Sequence, residues 1–261
     1  MLLEVKDLTI EFHDHDRPER VVENVSFSLD RGGILGIVGE SGSGKSMTAL
    51  AIAGLLPRKK LKKSGEILFD GVDLLTLERA KLREYQGDEI SVIFQEPMTA
   101  LNPTMTIGKQ VEESLRIHRG LSREERKKQA LIWLDKVEMD DPERVYEAYP
   151  HELSGGMRQR VMIAAAMVSG PELLIADEPT TALDVTVQAQ IIDLLLKINE
   201  KEKVSILFIS HDLSLIRQIS HRVLVMQNGR IVEEGAVEQI FDDPKEDYTK
   251  QLLAAIPKVI L

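Results

Sequence analysis

Eight residues near the amino terminus restrict the possible folds of this chain more than any other feature. Gly39–Ser46 reads GESGSGKS and matches the pattern G-x-x-x-x-G-K-S/T. Ile34–Val38 before it is short and apolar, as expected of a buried strand, and Met47–Leu56 after it has helical character up to Pro57. A glycine-rich turn that joins a buried strand to a helix is typical of α/β folds with a parallel sheet.

The chemistry of this loop suits a nucleoside triphosphate. Its glycines let the chain wind tightly and direct backbone N–H groups inward, at a helix N-terminus that attracts anions. Lys45 adds a positive charge for the β- and γ-phosphates, and the Ser46 hydroxyl is a suitable ligand for Mg²⁺. The alternative is a glycine-rich turn that happens to precede a lysine, and the flanking strand and helix argue against it. The predicted nucleotide-binding residues here are Gly39, Glu40, Ser41, Gly42, Ser43, Gly44, Lys45, Ser46 and Met47.

A second apolar run ends in two acids. Leu173–Ala176 has the length of a central parallel strand, and Asp177 and Glu178 follow at its carboxyl end, where open α/β sheets bind ligands. We therefore predict that Asp177 holds the Mg²⁺ shell and that Glu178 is the general base that polarises the attacking water. Taken alone, an ordinary strand followed by solvated acids explains the pattern equally well, and the phosphate loop upstream favours the catalytic interpretation.

Two further polar residues follow predicted strands. Gln95 comes directly after Ser91–Phe94, and its amide can reach a metal ion or the attacking water. His211 comes shortly after Val204–Ile209, and one ring nitrogen can donate to a γ-phosphate while the other is held by the backbone. As isolated residues, both would more often be ordinary loop side chains with satisfied hydrogen bonds.

A third motif, LSGGMRQR, begins at Leu153. The residues Met157–Val168 after it predict a helix, which Ser154 can cap. Gly155 and Gly156 would let a phosphate approach the end of that helix closely. The alternative is a capped surface helix with a glycine kink.

In this order, the motifs resemble those of the ATPase subunits of ABC transporters, and the similarity runs across nearly the whole chain. Gly39–Ser46 resembles the Walker A loop, Gln95 the Q-loop, Leu153–Gln159 the signature sequence, Leu173–Glu178 Walker B, Thr181–Asp184 the D-loop and His211 the switch histidine. The resemblance implies ATP and Mg²⁺ as cofactors. It also implies a nucleotide sandwiched between two subunits, with Ser154, Gly155, Gly156 and Asp184 facing the partner's loop. Phe12 is the candidate for stacking on adenine, and plain packing in a β core is its alternative.

A narrower resemblance connects three segments to the ATPases of oligopeptide, dipeptide and nickel importers. These segments are Phe94–Pro103, Met157–Arg160 and Asp247–Leu253. The last match is partial, because Glu246-Asp247 replaces the usual His-Pro pair. Some relatives have a cysteine-bearing extension associated with an iron–sulfur cluster, whereas this chain has no cysteine, so no such cluster is expected.

The expected fold class is α/β, a P-loop NTPase with a RecA-like parallel sheet core, an N-terminal antiparallel β subdomain and an inserted α-helical lobe. We expect a single ABC ATPase domain over 1–261, with its catalytic core at 1–94 and 168–238. The helical lobe with the signature motif is expected at 95–167, where Ile107–His118 and Arg123–Val137 have helical periodicity, and a C-terminal tail at 239–261. The basic run Arg58–Lys63 is predicted to be a solvated loop.

Composition bears on compartment and partners. No run of about 18 apolar residues is present and the amino terminus lacks a signal pattern, so we expect separate membrane subunits. The net charge of −10 argues against a nucleic-acid partner. The resemblance implies a peripheral protein at the cytoplasmic face of the membrane, with a second ABC ATPase subunit (a non-identical paralogue), two transmembrane permease subunits and, indirectly, an extracytoplasmic substrate-binding protein. Met98–Ile107 is the expected docking surface for the permeases.

The resulting prediction is an ATP-hydrolysing subunit of an importer for di- or oligopeptides or nickel. An ABC-type ATPase that acts on DNA or ribosomes is the alternative. Such proteins usually carry a long coiled coil before the signature or two tandem ATPase units, and neither is present. A monomeric P-loop kinase would leave Leu153–Gln159 unexplained.

Overall fold

The computed structural model describes residues 1–13, 19–56, 61–94, 100–181 and 183–255. They form two compact units, the first made of the described residues within 1–82 and 205–255 and the second of those within 83–204. The strands are β1 (Leu3–Phe12), β2 (Glu19–Leu29), β3 (Ile34–Val38), β4 (Leu61–Phe69), β5 (Val72–Asp73), β6 (Ile90–Ile93), β7 (Leu173–Asp177), β8 (Ser205–Ile209), β9 (Arg222–Gln227) and β10 (Arg230–Ala236).

The helices alternate with these strands and dominate the second unit. They are α1 (Lys45–Ile52), α2 (Arg79–Tyr85), α3 (Ile107–Val111), α4 (Glu113–His118), α5 (Arg123–Lys136), α6 (Pro142–Glu147), α7 (Gly155–Met167), α8 (Val185–Glu202), α9 (Leu213–Ile219), α10 (Val237–Asp242) and α11 (Asp247–Ala254), with a 3₁₀ turn at Pro150–Glu152. None of the helices in the described part of the chain combines the length and hydrophobicity that a membrane crossing requires.

The first unit contains an antiparallel sheet in the order β2-β1-β4-β5. Leu3 lies opposite Leu29 on one side and Phe69 on the other, and all three side chains are buried. Alternate residues of β1 such as Val5 are buried as well, which is the pattern of a sheet with one face against a core. The expected N-terminal antiparallel subdomain is therefore present.

In the first unit, the parallel strands β3 and β8 end at the same edge of their sheet. Every residue of β3 and β8 is buried, as expected for strands covered on both faces. β3 pairs in parallel with both β8 and β9, with Ile37 opposite Ile209. β9 and β10 form a hairpin that turns at Asn228 and Gly229, both with positive φ, which is the conformation that an Asn-Gly turn adopts.

The prediction of a loop over Arg58–Lys63 is wrong for its last three residues. β4 begins at Leu61, and Lys62 lies opposite Glu11 in β1. Opposite charges on facing positions stabilise an antiparallel pair, so Lys62 is compatible with a strand. Residues 57–60 lie outside the described part of the chain.

Two predicted helices differ in their bounds. α1 spans Lys45–Ile52 rather than Met47–Leu56, and its end precedes Gly54, which has a φ of 67°. A left-handed glycine shortly after the last turn is a common helix terminator. The helix expected over 107–118 divides at Glu112, whose buried carboxylate accepts hydrogen bonds from Tyr146 Oη and Arg126 Nε.

The second unit contains the parallel pair β6 and β7, with Ile93 opposite Ala176. The remaining described residues of this unit are mainly helical, and α3, α5, α6 and α7 pack on one another. The predicted parallel arrangement of the strands that end at the motifs is confirmed within each unit. The division into a core and a helical lobe at residues 95–167 stays a prediction.

Candidate nucleotide-binding site

The predicted phosphate loop joins β3 to α1 and is closely packed. A Cβ added at Gly39 would lie 2.1 Å from the carbonyl oxygen of Met226, and one at Gly44 would lie 2.7 Å from the carbonyl oxygen of Val21. Gly229 N, at the hairpin turn, donates to Ser43 O at 3.0 Å. The loop is therefore held against β2 and β9, and glycine is required where the backbones approach.

Lys45 is the first residue of α1, and only 5% of it is exposed. Its Nζ donates to Gly39 O at 2.7 Å and to Glu40 O at 2.8 Å, with Ser43 Oγ at 3.4 Å. The ammonium group thus lies inside the curve of the loop, at the positive end of a helix. This combination of fixed charge and helix N-terminus suits a bound phosphate.

Tyr248 in α11 also contacts the loop, a contact that no sequence motif predicted. Glu40 N donates to Tyr248 Oη at 3.1 Å. The tyrosine lies in a segment singled out only for its resemblance to peptide-importer ATPases. Its contact with a residue 208 positions away has no local sequence signal.

The predicted switch histidine lies at the same sheet edge as the phosphate loop. β8 ends at Ile209, opposite Ile37 of β3, so His211 and Gly39 both follow the carboxyl ends of neighbouring parallel strands. Ser210 N donates to Ile37 O, and Asp212 N donates to Ser210 Oγ, which fixes the turn that carries the histidine. His211 itself is exposed.

Phe12 is the last residue of β1, half-buried, opposite Glu19 in β2 and Leu61 in β4. The same β2 strand reaches the phosphate loop through the carbonyl of Val21, which lies close to Gly44. Stacking of Phe12 on adenine stays a prediction.

In the second unit, the two predicted catalytic acids lie at the end of β7. Asp177 is the last residue of that strand, and Glu178 has a φ of 49°. Thr181 Oγ1 donates to Glu178 Oε2 at 2.9 Å, which holds the carboxylate in place. A non-glycine residue in the left-handed region costs conformational energy.

β6 ends beside these acids, because Ile93 lies opposite Ala176. The chain that leads to Gln95 therefore leaves the sheet next to Asp177. Gln95 itself, together with Glu96, Pro97, Met98 and Thr99, lies outside the described residues, so its predicted roles towards metal and water stay predictions.

The signature segment and Asp184 come together in one groove of the second unit. Ser154 caps α7 by accepting from Met157 N at 3.3 Å, as predicted, and Asp184 caps α8 by accepting from Val187 N at 3.0 Å. A groove of 420 Å³ runs between the two helix starts, and its lining also includes Gly155, Gly156, Met157, Arg160, Leu183 and Gln190. A Cβ at Gly156 would lie 2.9 Å from Val187 Cγ1. The absence of a side chain at Gly156 therefore lets α7 and α8 pack closely at this point.

Comparison with known proteins identifies the family. Residues 22–181, more than half of the chain, match the sequence model of the family described as ABC transporter. The chain belongs to the ABC transporter family. It is 48% identical, over 98% of its length, to the dipeptide transport ATP-binding protein DppD of Haemophilus influenzae, 78% of which it covers. It is 52% identical, again over 98%, to the peptidoglycan transport ATP-binding protein YejF of Agrobacterium fabrum, but it spans only 47% of that relative.

A solved ABC structure has the same fold. It is a dimeric ATP-binding cassette in a post-hydrolysis state bound to ADP and Pi, and it matches with a TM-score of 0.80 and 31% identity. The match covers 90% of this chain and 99% of that one. The predicted fold class and the predicted membership of an ATP-binding ATPase family are therefore confirmed. The relatives do not favour the alternative of an ATPase that acts on DNA or ribosomes.

Proposed function

We propose that this chain is the ATP-hydrolysing subunit of an importer that carries di- or oligopeptides across the cytoplasmic membrane. The observation that carries the proposal is the buried Lys45 ammonium, held inside a glycine loop at the start of α1, in a chain of the ABC transporter family. The peptide cargo is supported by the dipeptide named in DppD, 78% of which the chain covers. Nickel receives no such support.

In this proposal each group of site residues has its own role. Lys45 and the loop amides bind the β- and γ-phosphates. Ser46, Gln95 and Asp177 would hold Mg²⁺, for which hydroxyl, amide and carboxylate oxygens are suitable ligands, and the ion would neutralise phosphate charge. Glu178 accepts the proton of the attacking water, and His211 donates to the γ-phosphate.

A second ATPase subunit completes the proposed site. Ser154, Gly155, Gly156 and Asp184 line an exposed groove, which would receive the nucleotide held by a partner's loop. The dimeric state of the solved cassette supports this arrangement. We propose a non-identical paralogue as partner, two permease subunits that dock around 98–107, an extracytoplasmic substrate-binding protein, and a location at the cytoplasmic face of the membrane.

Glu178→Gln tests the hydrolytic part. The substitution keeps size and polarity but removes the base, so we expect the kcat for ATP to fall roughly 10²–10⁴-fold with an unchanged Kd for Mg·ATP. The variant should then accumulate as a dimer with its companion ATPase when Mg·ATP is saturating. Glu200→Gln, at an exposed position of α8, is the matched control and should retain normal turnover. Near-normal turnover in Glu178→Gln would remove Glu178 from this role.

The cargo needs a separate experiment. The chain is purified with its permeases in lipid vesicles, and ATP hydrolysis is measured as peptide-loaded or nickel-loaded substrate-binding protein is added. Stimulation by the peptide-loaded form alone is expected. Stimulation only by the nickel-loaded protein, or by neither loaded form, would contradict the proposed cargo. Either result would leave the assignment of ATPase activity intact.

A further inference from the structure

The peptide unit between Gly39 and Glu40 has two partners on opposite sides. Gly39 O accepts from Lys45 Nζ at 2.7 Å, and Glu40 N donates to Tyr248 Oη at 3.1 Å. In a trans peptide the C=O and N–H bonds point in opposite directions within one plane. A single rigid plane therefore connects the lysine inside the loop to a tyrosine outside it.

This peptide plane needs external support. Gly39 has no Cβ, so rotation of the plane meets little local resistance from its own residue. Rotation would withdraw Gly39 O from the ammonium group and leave Lys45 with fewer of the contacts that fix it. The hydrogen bond from Glu40 N to Tyr248 favours the orientation in which the carbonyl faces Lys45.

The tyrosine is itself fixed by the chain around it. Glu233 of β10, only 8% exposed, accepts backbone N–H bonds from Lys245 at 2.8 Å and Glu246 at 3.1 Å, immediately before α11. Burial alone would raise the pKa of Glu233, but these N–H groups, together with the Thr249 side chain and the positive charge of Lys250, hold the pKa below its ordinary value of 4.5. Thr249, the next residue after Tyr248, is fully buried.

The tyrosine stays neutral in the physiological pH range. Burial raises the pKa of the Tyr248 phenol above its ordinary value of 10.0. Its oxygen is therefore a hydroxyl that accepts a hydrogen bond from Glu40 N and keeps its own hydrogen. Because a phenol with a raised pKa does not titrate between about pH 6 and 9, this contact stays the same over that range.

We propose that Tyr248 is a positioning residue for ATP binding: through the Gly39–Glu40 peptide it holds the phosphate loop in the conformation that places the Lys45 ammonium. The inference rests on the proposed function, because the ligand is ATP. It assigns to helix α11 a part in nucleotide affinity.

The test is Tyr248→Phe, which removes the hydroxyl and keeps the ring. One net hydrogen bond corresponds to an increase of about 5-fold in the Kd for Mg·ATP, measured by calorimetry. The KM for ATP should rise by the same factor while kcat stays unchanged, because the lost interaction affects bound substrate and transition state equally. Glu233→Gln, which weakens the support of α11, should change KM in the same direction.

Gln251→Ala is the matched control on the same helix. The Gln251 side chain is exposed, so its loss should leave the Kd for ATP unchanged. Wild-type Kd and KM in Tyr248→Phe would overturn the inference, and so would a lowered kcat with an unchanged KM. Lys45→Ala separates the failure of the proposed function from the failure of the inference. If the Lys45→Ala variant binds Mg·ATP as well as the wild type does, the proposed function fails and the inference fails with it. The same holds if the wild type does not bind Mg·ATP.

Discussion

Two helices of this chain begin in glycine-rich segments, and the two segments differ in what surrounds them. Before α1, Gly44 is the cap residue and makes no side-chain cap, while Lys45 is buried and bonded to loop carbonyls. Before α7, the Ser154 side chain caps the helix, and Gly155 beside it is exposed to the groove. The positive side chain at that groove, Arg160, donates to Val137 O and Glu138 instead.

The difference shows how similar sequence patterns give different kinds of site. The first segment contains its own cation and is enclosed by β2, β9 and α11, so it can hold a phosphate by itself. The second offers a capped helix end on the surface, and its own positive side chain is directed elsewhere. It therefore suits a phosphate that another molecule has already bound, as in the proposed dimer.

The largest effect is expected when a methyl group is added to the enclosed segment. In Gly39→Ala the new Cβ would lie 2.1 Å from Met226 O, so the loop must move away from β9. We expect the Kd for Mg·ATP to rise at least roughly 100-fold, equivalent to about 3 kcal/mol. Calorimetry measures the affinity, and a retained thermal midpoint shows that the chain still folds. Wild-type affinity would show that the loop is not closely held.

The same methyl group in the exposed segment should act differently. In Gly155→Ala the Cβ would lie 3.6 Å from Leu183 Cδ2, an ordinary contact, so folding and the Kd for Mg·ATP should stay within about twofold of wild type. Turnover with the companion ATPase should fall by roughly 10-fold, because a phosphate can no longer approach the helix end as closely. Unchanged steady-state turnover would contradict the role of the groove and remove the distinction between the two segments.

The smallest expected effect is a change in thermal stability that depends on pH. The pKa of Glu233 is lowered, so its contribution to stability is complete above 4.5 and is lost as the pH falls through the lower pKa of the folded protein. At pH 7, Glu233→Gln should lower the thermal midpoint by about 2–4 °C, for roughly 1 kcal/mol, and this gap should shrink below pH 4.5.

Ser154→Ala is the comparison for the exposed segment. Removing this neutral helix cap costs about 1 kcal/mol, and the cost should be the same at both pH values. The support behind the phosphate loop would then be sensitive to acid, while the cap of α7 would not. A gap for Glu233→Gln that does not change with pH would contradict the assignment of its carboxylate as the acceptor.

The local parts of the fold were predictable from the sequence. β3, β7 and β8 are short apolar runs that end at the motifs, and the Ser154 cap follows from residue type and position. The strand that begins at Leu61 was missed, because three lysines in four residues indicated a loop and the compensating Glu11 lies on another strand. Such pairing depends on the tertiary structure.

Site residues were predictable from the sequence where they belong to a motif. They were not predictable where the site depends on contacts between distant segments of the chain. The loop with Lys45 is contained in eight consecutive residues. The contact between Glu40 and Tyr248 joins residues 208 apart, and the left-handed backbone of Glu178 has no signature in residue type. Both depend on how the complete chain packs.

The two-residue turn at Asn228 and Gly229 has a practical consequence. Short polar hairpin tips are the usual choice for inserting epitope tags or fluorescent labels. Here Gly229 N donates to Ser43 O, and a Cβ at Gly229 would lie 2.8 Å from Val21 O. A label introduced at this tip would disturb the neighbouring loop, so biochemists who wish to tag the protein should choose another surface.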